Sequence, residues 1–151
     1  MSQGQHISDD LFMEAAFALA RRSFEAGGIP IGSVLVRGDT IIGSGHNQRI
    51  QKGDPILHGE IDCIRNAGRQ RTYLDTCLYT TLSPCMMCSG TIVQFKIPCV
   101  VIGESRSFGG CVEFLRDHHV KLKIIDSSEC FDLMQEFIRL NPQAWREDIG
   151  E

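Results

Sequence analysis

The 151-residue chain lacks the length for a barrel enzyme of about 250 residues. It has no apolar run approaching the ~20 residues of a membrane span, so no membrane partner is expected. It also lacks a basic surplus: the formal net charge is −4, and the isoelectric point is about 5.7. Proteins that track phosphates usually carry excess lysine and arginine, so this balance speaks against nucleic acid. There is no internal repeat, linker or low-complexity segment. The stretch 1–10 has no apolar core of the kind a secretory signal needs.

What is present is ordinary for a globular domain, with 42% hydrophobic and 23% charged residues, which excludes wholesale disorder. A chain of this length buries roughly two thirds of its unfolded surface and needs no disulfide staple. The seven cysteines are an odd number, and several lie in apolar runs where a thiol acts as a small hydrophobe. The expected compartment is therefore reducing and cytoplasmic, with the cysteines as thiols or metal ligands.

Hydrophobic periodicity and breakers give an order of elements. A helix starts around Ser8, with Asp9 and Asp10 at its positive end and Ile7 stapled onto Phe12, and Gly27-Gly28 stops it. Strands at 31–37 and 40–45 form a hairpin about Gly38-Asp39, followed by a polar loop at 46–55. A helix at about 57–67 precedes a strand at 77–81. The next helix is expected to have Ser83 as cap and Pro84 at its first position, running to about Phe95. A strand at 99–102, a short helix at 111–117 and a strand at 120–125 follow. Ser127 or Ser128 caps a last helix, which Asn141-Pro142 ends before an acidic tail. The pattern predicts an α/β fold: a single domain spanning 1–151, a three-layer α/β/α sandwich on a five-stranded mixed sheet.

One constellation carries chemistry. His58-Gly59-Glu60 opens one helix, and Pro84-Cys85-Met86-Met87-Cys88 opens another. Residues three apart at a helix start place both sulfurs near one point, and the positive helix end favours thiolates. Two thiolates and the His58 imidazole suit one Zn²⁺ per chain, leaving the fourth tetrahedral position open for water. Glu60 is the telling residue, because a structural zinc site has no use for a carboxylate there, whereas hydrolysis needs a proton carrier. Taken singly, each piece has a duller reading: a redox or core Cys-x-x-Cys, a satisfied histidine, a helix-terminal charge, a helix-opening proline. The two halves together, each at a helix start, favour catalytic zinc. His118-His119 lies away from the motif and reads as a solvated turn.

The His-x-Glu and Pro-Cys-x-x-Cys pair is the signature of the zinc deaminases. The chain resembles the cytidine-deaminase-like superfamily and, more closely, the fungal-type cytosine deaminases that act on the free base. The resemblance runs through Gly27–Gly32, Gly45-His46-Asn47, Gln51-Lys52-Gly53, Leu57–Glu60 and Leu78–Cys85. It ends with Trp145 and Glu147–Glu151. The glycine between His58 and Glu60 and the tail are particular to the closer group, since tRNA and nucleotide relatives commonly have alanine there.

The resemblance implies further roles. Asn47 hydrogen-bonds the polar edge of a pyrimidine, where the bland alternative is turn shaping. Gly59 and the Ser83 region face the ring, Gly59 letting a base approach the backbone. Ile31 and Leu82 are apolar walls, or simply core. Phe108 and Trp145 cover the base, with tail anchoring as the alternative for Trp145. Asp148 accepts from the amino group, and residues 141–151 form a lid. A homodimer is implied, with Ile92, Val93 and Phe95 as interface or core. Ser105 and Arg146 depart from the fungal pattern, which has asparagine and an aromatic residue at these places.

The expected activity is hydrolytic deamination of a small-molecule nucleobase, with cytosine leading. Guanine, isocytosine, creatinine or cytidine are alternatives. A structural zinc-binding module is the rival from another class.

Overall fold

Alternation along the strands decides the layers. In the computed structural model, which describes residues 3–151 with side chains from residue 8 onward, five strands form one sheet in the order β2-β1-β3-β4-β5. These are β1 (Gly32–Arg37), β2 (Thr40–His46), β3 (Thr76–Leu82), β4 (Cys99–Glu104) and β5 (Lys121–Ile124). β1 pairs antiparallel with both β2 and β3, while β3, β4 and β5 are parallel, so the sheet is mixed as expected. Leu35, Leu78, Val100 and Ile102 point to one face, where they pack on Cys63, Ile64, Ile92 and Leu115. Those partners come from α3 (Gly59–Ala67), α4 (Met86–Gln94) and α5 (Val112–Asp117). Their strand neighbours Val34, Val36, Tyr79 and Val101 point the other way, onto Met13 and Ala16 of α1 (Gln3–Glu25) and Cys130 of α6 (Ser128–Leu140). The period-2 alternation of side chains thus builds two cores and three layers. Among the described residues no helix is long and apolar enough to cross a membrane.

Several local expectations change. α1 already runs from Gln3, so Ser8, Asp9 and Asp10 lie inside it rather than at its start. Asp9 is buried and accepts from Tyr79 Oη and Lys123 Nζ; its carboxylate serves a tertiary contact, not the helix end. The staple of Ile7 onto Phe12 lies outside the described side chains. The loop at 46–55 contains a one-turn helix, α2 (Arg49–Lys52), closed by Gly53 in the left-handed region at φ 60°. Ser83 and Pro84 do not open α4: the Ser83 N–H is donated to Glu104 O and continues the β3–β4 pairing, so Cys85 takes the cap position.

Ser127, not Ser128, caps α6, its hydroxyl accepting from Cys130 N. Asn141-Pro142 ends α6 but also starts another helix, α7 (Pro142–Asp148), with proline at the beginning where its missing N–H costs nothing. α7 folds back onto a third core of Ile29, Ile31, Leu82, Met134 and Phe137 through Trp145. That core sits at the carboxyl end of β3.

Candidate active site

The site grows from two helix starts that follow β2 and β3. His58 occupies the cap position of α3, and Cys85 that of α4, and neither side chain caps its helix. Both are thereby free to point at each other. His58 Nδ1 lies 3.5 Å from Cys85 Sγ and 3.8 Å from Cys88 Sγ. The ligand atoms of His58, Cys85 and Cys88 all lie within 4.8 Å of one another, the only such metal-binding group found among the described residues. Two sulfurs and one imidazole nitrogen converging from buried or half-buried positions are the donor set zinc prefers.

The electrostatics of the cluster are strongly coupled. A hydrogen bond from Cys88 is the main cause that lowers the Cys85 thiol to about 4, with His58 adding to it against burial. Cys88 is pushed up well above the usual thiol value because it holds that proton, and burial and Glu60 act in the same direction. Burial opposes charge on His58, but Asp148, Cys85 and Glu60 outweigh it and raise the ring to about 10. Glu60, 4% exposed, is raised to about 7 by burial first and Cys85 second, with His58 pulling the other way. A carboxyl poised near neutrality beside a metal set is suited to carry a proton in both directions.

Around this centre the remaining sequence-predicted residues gather. Asn47 is fully buried and donates its N–H to Ile31 O at 2.9 Å, while its Oδ1 accepts from Arg49 N. Its Nδ2 is buried without a partner, as are Ser83 Oγ and the second oxygen of Glu104. Buried polar atoms are ordinarily paired, so the free Asn47 amide and Ser83 hydroxyl are open to a polar partner. Gly59 approaches the same strand end: a Cβ there would meet Ile31 O at 3.0 Å and Asn47 N at 3.4 Å. Ile31 and Leu82 are buried in the third core with Trp145, and Phe108 packs against them. The Phe108 and Trp145 rings meet edge to face at 6.1 Å. Asp148 Oδ1 reaches 3.2 Å from His58 Nε2 as an ion-pair contact, and no hydrogen bond in line satisfies that oxygen.

Ser105 is half-buried, Arg146 is exposed, and His118 and His119 are exposed at a turn. Of the residues implied for an interface, Ile92 belongs to the core, Val93 is half-buried and Phe95 is exposed.

Some contributors escaped the sequence reading. Glu104 is wholly buried and accepts from Arg106 N and Ser107 N, which fixes the loop that carries Phe108. A lone carboxylate closing the apolar run of β4 was the signal. Arg49 reaches Pro55 O at 2.9 Å and Glu147 at 3.5 Å, tying α7 to the metal loop; no spacing announces it. Ser23 and Gln51 both donate to Asn47 O and hold that residue's backbone in place.

Comparison with known proteins agrees with this geometry. Residues 6–104 match the cytidine and deoxycytidylate deaminase zinc-binding region. A cytosine deaminase of Candida albicans is 46% identical over 148 residues, covering 96% of this chain and 99% of the relative. A tRNA-specific adenosine deaminase of Buchnera aphidicola is 37% identical over 146 residues, covering 89% and 90%. Among solved structures, a guanine deaminase from Bacillus subtilis superposes with a TM-score of 0.59 at 32% identity, covering 68% of this chain and 64% of that one. With its metal-ligand cluster in the matched region, the chain belongs to the zinc-binding cytidine and deoxycytidylate deaminase family of C–N hydrolases.

Proposed function

We propose that this enzyme deaminates a free nucleobase, converting cytosine and water to uracil and ammonia. The observation that carries the reading is the buried carboxyl of Glu60, two positions from His58 at the start of α3 and beside the His58–Cys85–Cys88 cluster. The likeness to the Candida cytosine deaminase over 96% of this chain and 99% of the relative supports the choice of base. His58, Cys85 and Cys88 would hold zinc, which would supply the Lewis acidity that brings the pKa of a water toward neutrality.

The protein's own groups do the rest. Asn47 Nδ2, Ser83 Oγ and the backbone at Gly59 bind the polar edge of the ring. Ile31 and Leu82 wall its faces, and Phe108 and Trp145 cover it. Asp148 accepts from the exocyclic amino group. Glu60 takes a proton from the attacking water and delivers it to the ring nitrogen. The same carboxylate then takes the remaining proton from the hydroxyl added to the ring carbon and gives it to the amino group, which departs as ammonia, so one group acts as base and then as acid. α7, with Trp145 and Asp148, is the lid that excludes water and limits the site to small substrates.

The setting follows from the same features. The charge of −4 favours a free base over tRNA. Seven free cysteines fit the reducing cytoplasm, where the reaction serves pyrimidine salvage. We assign a homodimer, to which exposed Phe95 at the end of α4 contributes; a monomer mass on gel filtration would refute the assembly.

Ammonia release from a panel of cytosine, cytidine, guanine, isocytosine and creatinine tests the substrate, with cytosine expected to lead. Glu60→Gln should keep its zinc and lose about two to four orders of magnitude in turnover. Cys88→Ala should lose the metal. A fully active Glu60→Gln enzyme overturns the mechanism. A chain inert on the whole panel and indifferent to Glu60→Gln is a structural zinc module instead.

A further inference from the structure

The seven thiols divide unevenly. Cys85 and Cys88 belong to the metal set, Cys63 and Cys130 are buried in the cores, and Cys111 stands half-buried at the cap of α5. Cys77 and Cys99 form a separate pair. They stand directly opposite each other where β3 and β4 begin their parallel pairing. In-register neighbours on adjacent strands lie about 4.8 Å apart, and disulfides take Cα separations of roughly 4.4–6.8 Å. The side chains already meet: the Cys77 thiol donates to Cys99 Sγ at 2.8 Å.

The pair is also reachable and polarised. Both residues are half-buried, and they line a cavity of about 570 Å³ together with Asp9, Phe12, Tyr79 and Lys121. This cavity lies at the opposite end of β3 from the metal loop, roughly 17 Å away at 3.3 Å per residue. The Cys77 hydrogen bond, followed by the Lys121 charge, lowers the Cys99 thiol against burial and Asp9. Cys77 is pushed up because it holds the shared proton. The arrangement therefore offers one nucleophilic sulfur and one resolving thiol.

We infer that Cys77 and Cys99 are a peroxide-sensitive dithiol, converted reversibly to a disulfide that staples β3 to β4. The Cys99 thiolate attacks one oxygen of hydrogen peroxide, the O–O bond breaks, and hydroxide leaves to give a sulfenic acid. Cys77 attacks that sulfur, the S–S bond forms, and the sulfenic oxygen departs as water. Two thiols and one peroxide give one disulfide and two waters, with the sulfurs oxidised and the peroxide reduced. A thiol reductant reverses the change.

The test uses the zinc-loaded full-length enzyme, treated with hydrogen peroxide and digested with trypsin without reductant. The expected product is a cross-link between the peptides spanning 72–96 and 97–106, with two free thiols lost per chain and restored by dithiothreitol. Fragment spectra separate Cys77 from Cys85 and Cys88 within the first peptide, so the wild-type protein alone decides the pairing. Cys77→Ser and Cys99→Ser should each abolish the cross-link while keeping their zinc. A Cys99 that stops at the sulfinic acid, a bridge to Cys85 or Cys88, or a pair unchanged by peroxide would each overturn the inference.

Discussion

Asp148 sets its carboxylate 3.2 Å from His58 Nε2, while Nδ1 of the same ring faces the sulfurs of Cys85 and Cys88. One imidazole thus joins the last helix of the chain to the metal loop. A carboxylate on the far nitrogen of a histidine ligand fixes its tautomer and orientation and strengthens it as a donor. Losing such a partner typically weakens metal affinity by about 10–100-fold. Asp148→Asn should therefore lower zinc affinity by that order in competition with a chelator while the fold is kept. Unchanged affinity would show that the carboxylate serves the substrate alone.

Trp145 is the apolar anchor of α7, 7% exposed among Ile29, Ile31, Leu82, Met134 and Phe137. Ala144 and Ile149 pack half-buried on the same core, and α7 is further held by the contact to His58 and the partly exposed Arg49–Glu147 pair, although exposed pairs contribute little. Truncating a buried tryptophan to alanine costs about 3–5 kcal/mol when the cavity persists. In Trp145→Ala this should appear as release of α7 rather than unfolding of the sheet. Amide exchange across 142–148 should accelerate at least about tenfold, a local opening that leaves β1 and β3 protected. If α7 covers the substrate, KM should rise more than kcat falls. Wild-type exchange in α7 would contradict this anchoring.

The strands were legible as apolar runs bounded by breakers, but their two faces were not, because Val34 and Val36 are as apolar as Leu35 and only the fold sends them to different cores. His58, Glu60, Cys85 and Cys88 were legible because metal ligation constrains spacing within a helical turn. The helix α7 was not. Pro142 was read as a stop, although the same fixed φ suits the first position of a new helix. Trp145 stood out as a cover or an anchor, but the exposed Arg146 and Glu147 beside it give no apolar stripe that would announce a helix. The cap of α4 was misplaced for a related reason. Ser83-Pro84 is a good local start, yet the Ser83 N–H is already donated to Glu104 O, and a tertiary bond overrode the local preference. Glu104 itself depends on a loop that only the fold brings back to it.

Gly32 shows how closely α1 lies on the sheet. A Cβ there would stand 2.1 Å from Ala16 O and 2.6 Å from Ala20 N, both backbone atoms that cannot rotate away. The helix would have to lift, and overpacking of this kind costs typically about 1–3 kcal/mol. Gly32→Ala should lower the urea midpoint accordingly, with no change in zinc content. Wild-type stability would mean that α1 shifts without loss of packing against Val34 and Tyr79.

Cys130 supplies a pH test away from the metal. It is buried under β4, where a Cβ on Gly103 would touch its Sγ at 2.9 Å. Burial raises its thiol from 9.0 to about 11, with Glu104 and Glu129 adding to the shift and a hydrogen bond involving Ser127 opposing it. The native state therefore keeps the thiol proton after the unfolded chain has lost it. Stability from this group is whole below the unfolded value and falls as pH rises from there through about 11. Cys130→Ala has no proton to lose at this position and only a small change in volume. Urea midpoints at about pH 8 and about pH 10, on either side of that ordinary value of 9.0, should fall further for the wild type than for the variant. Other alkaline effects are common to both chains and cancel in the difference. Equal falls would mean that the Cys130 thiolate is accommodated as readily in the fold as in water.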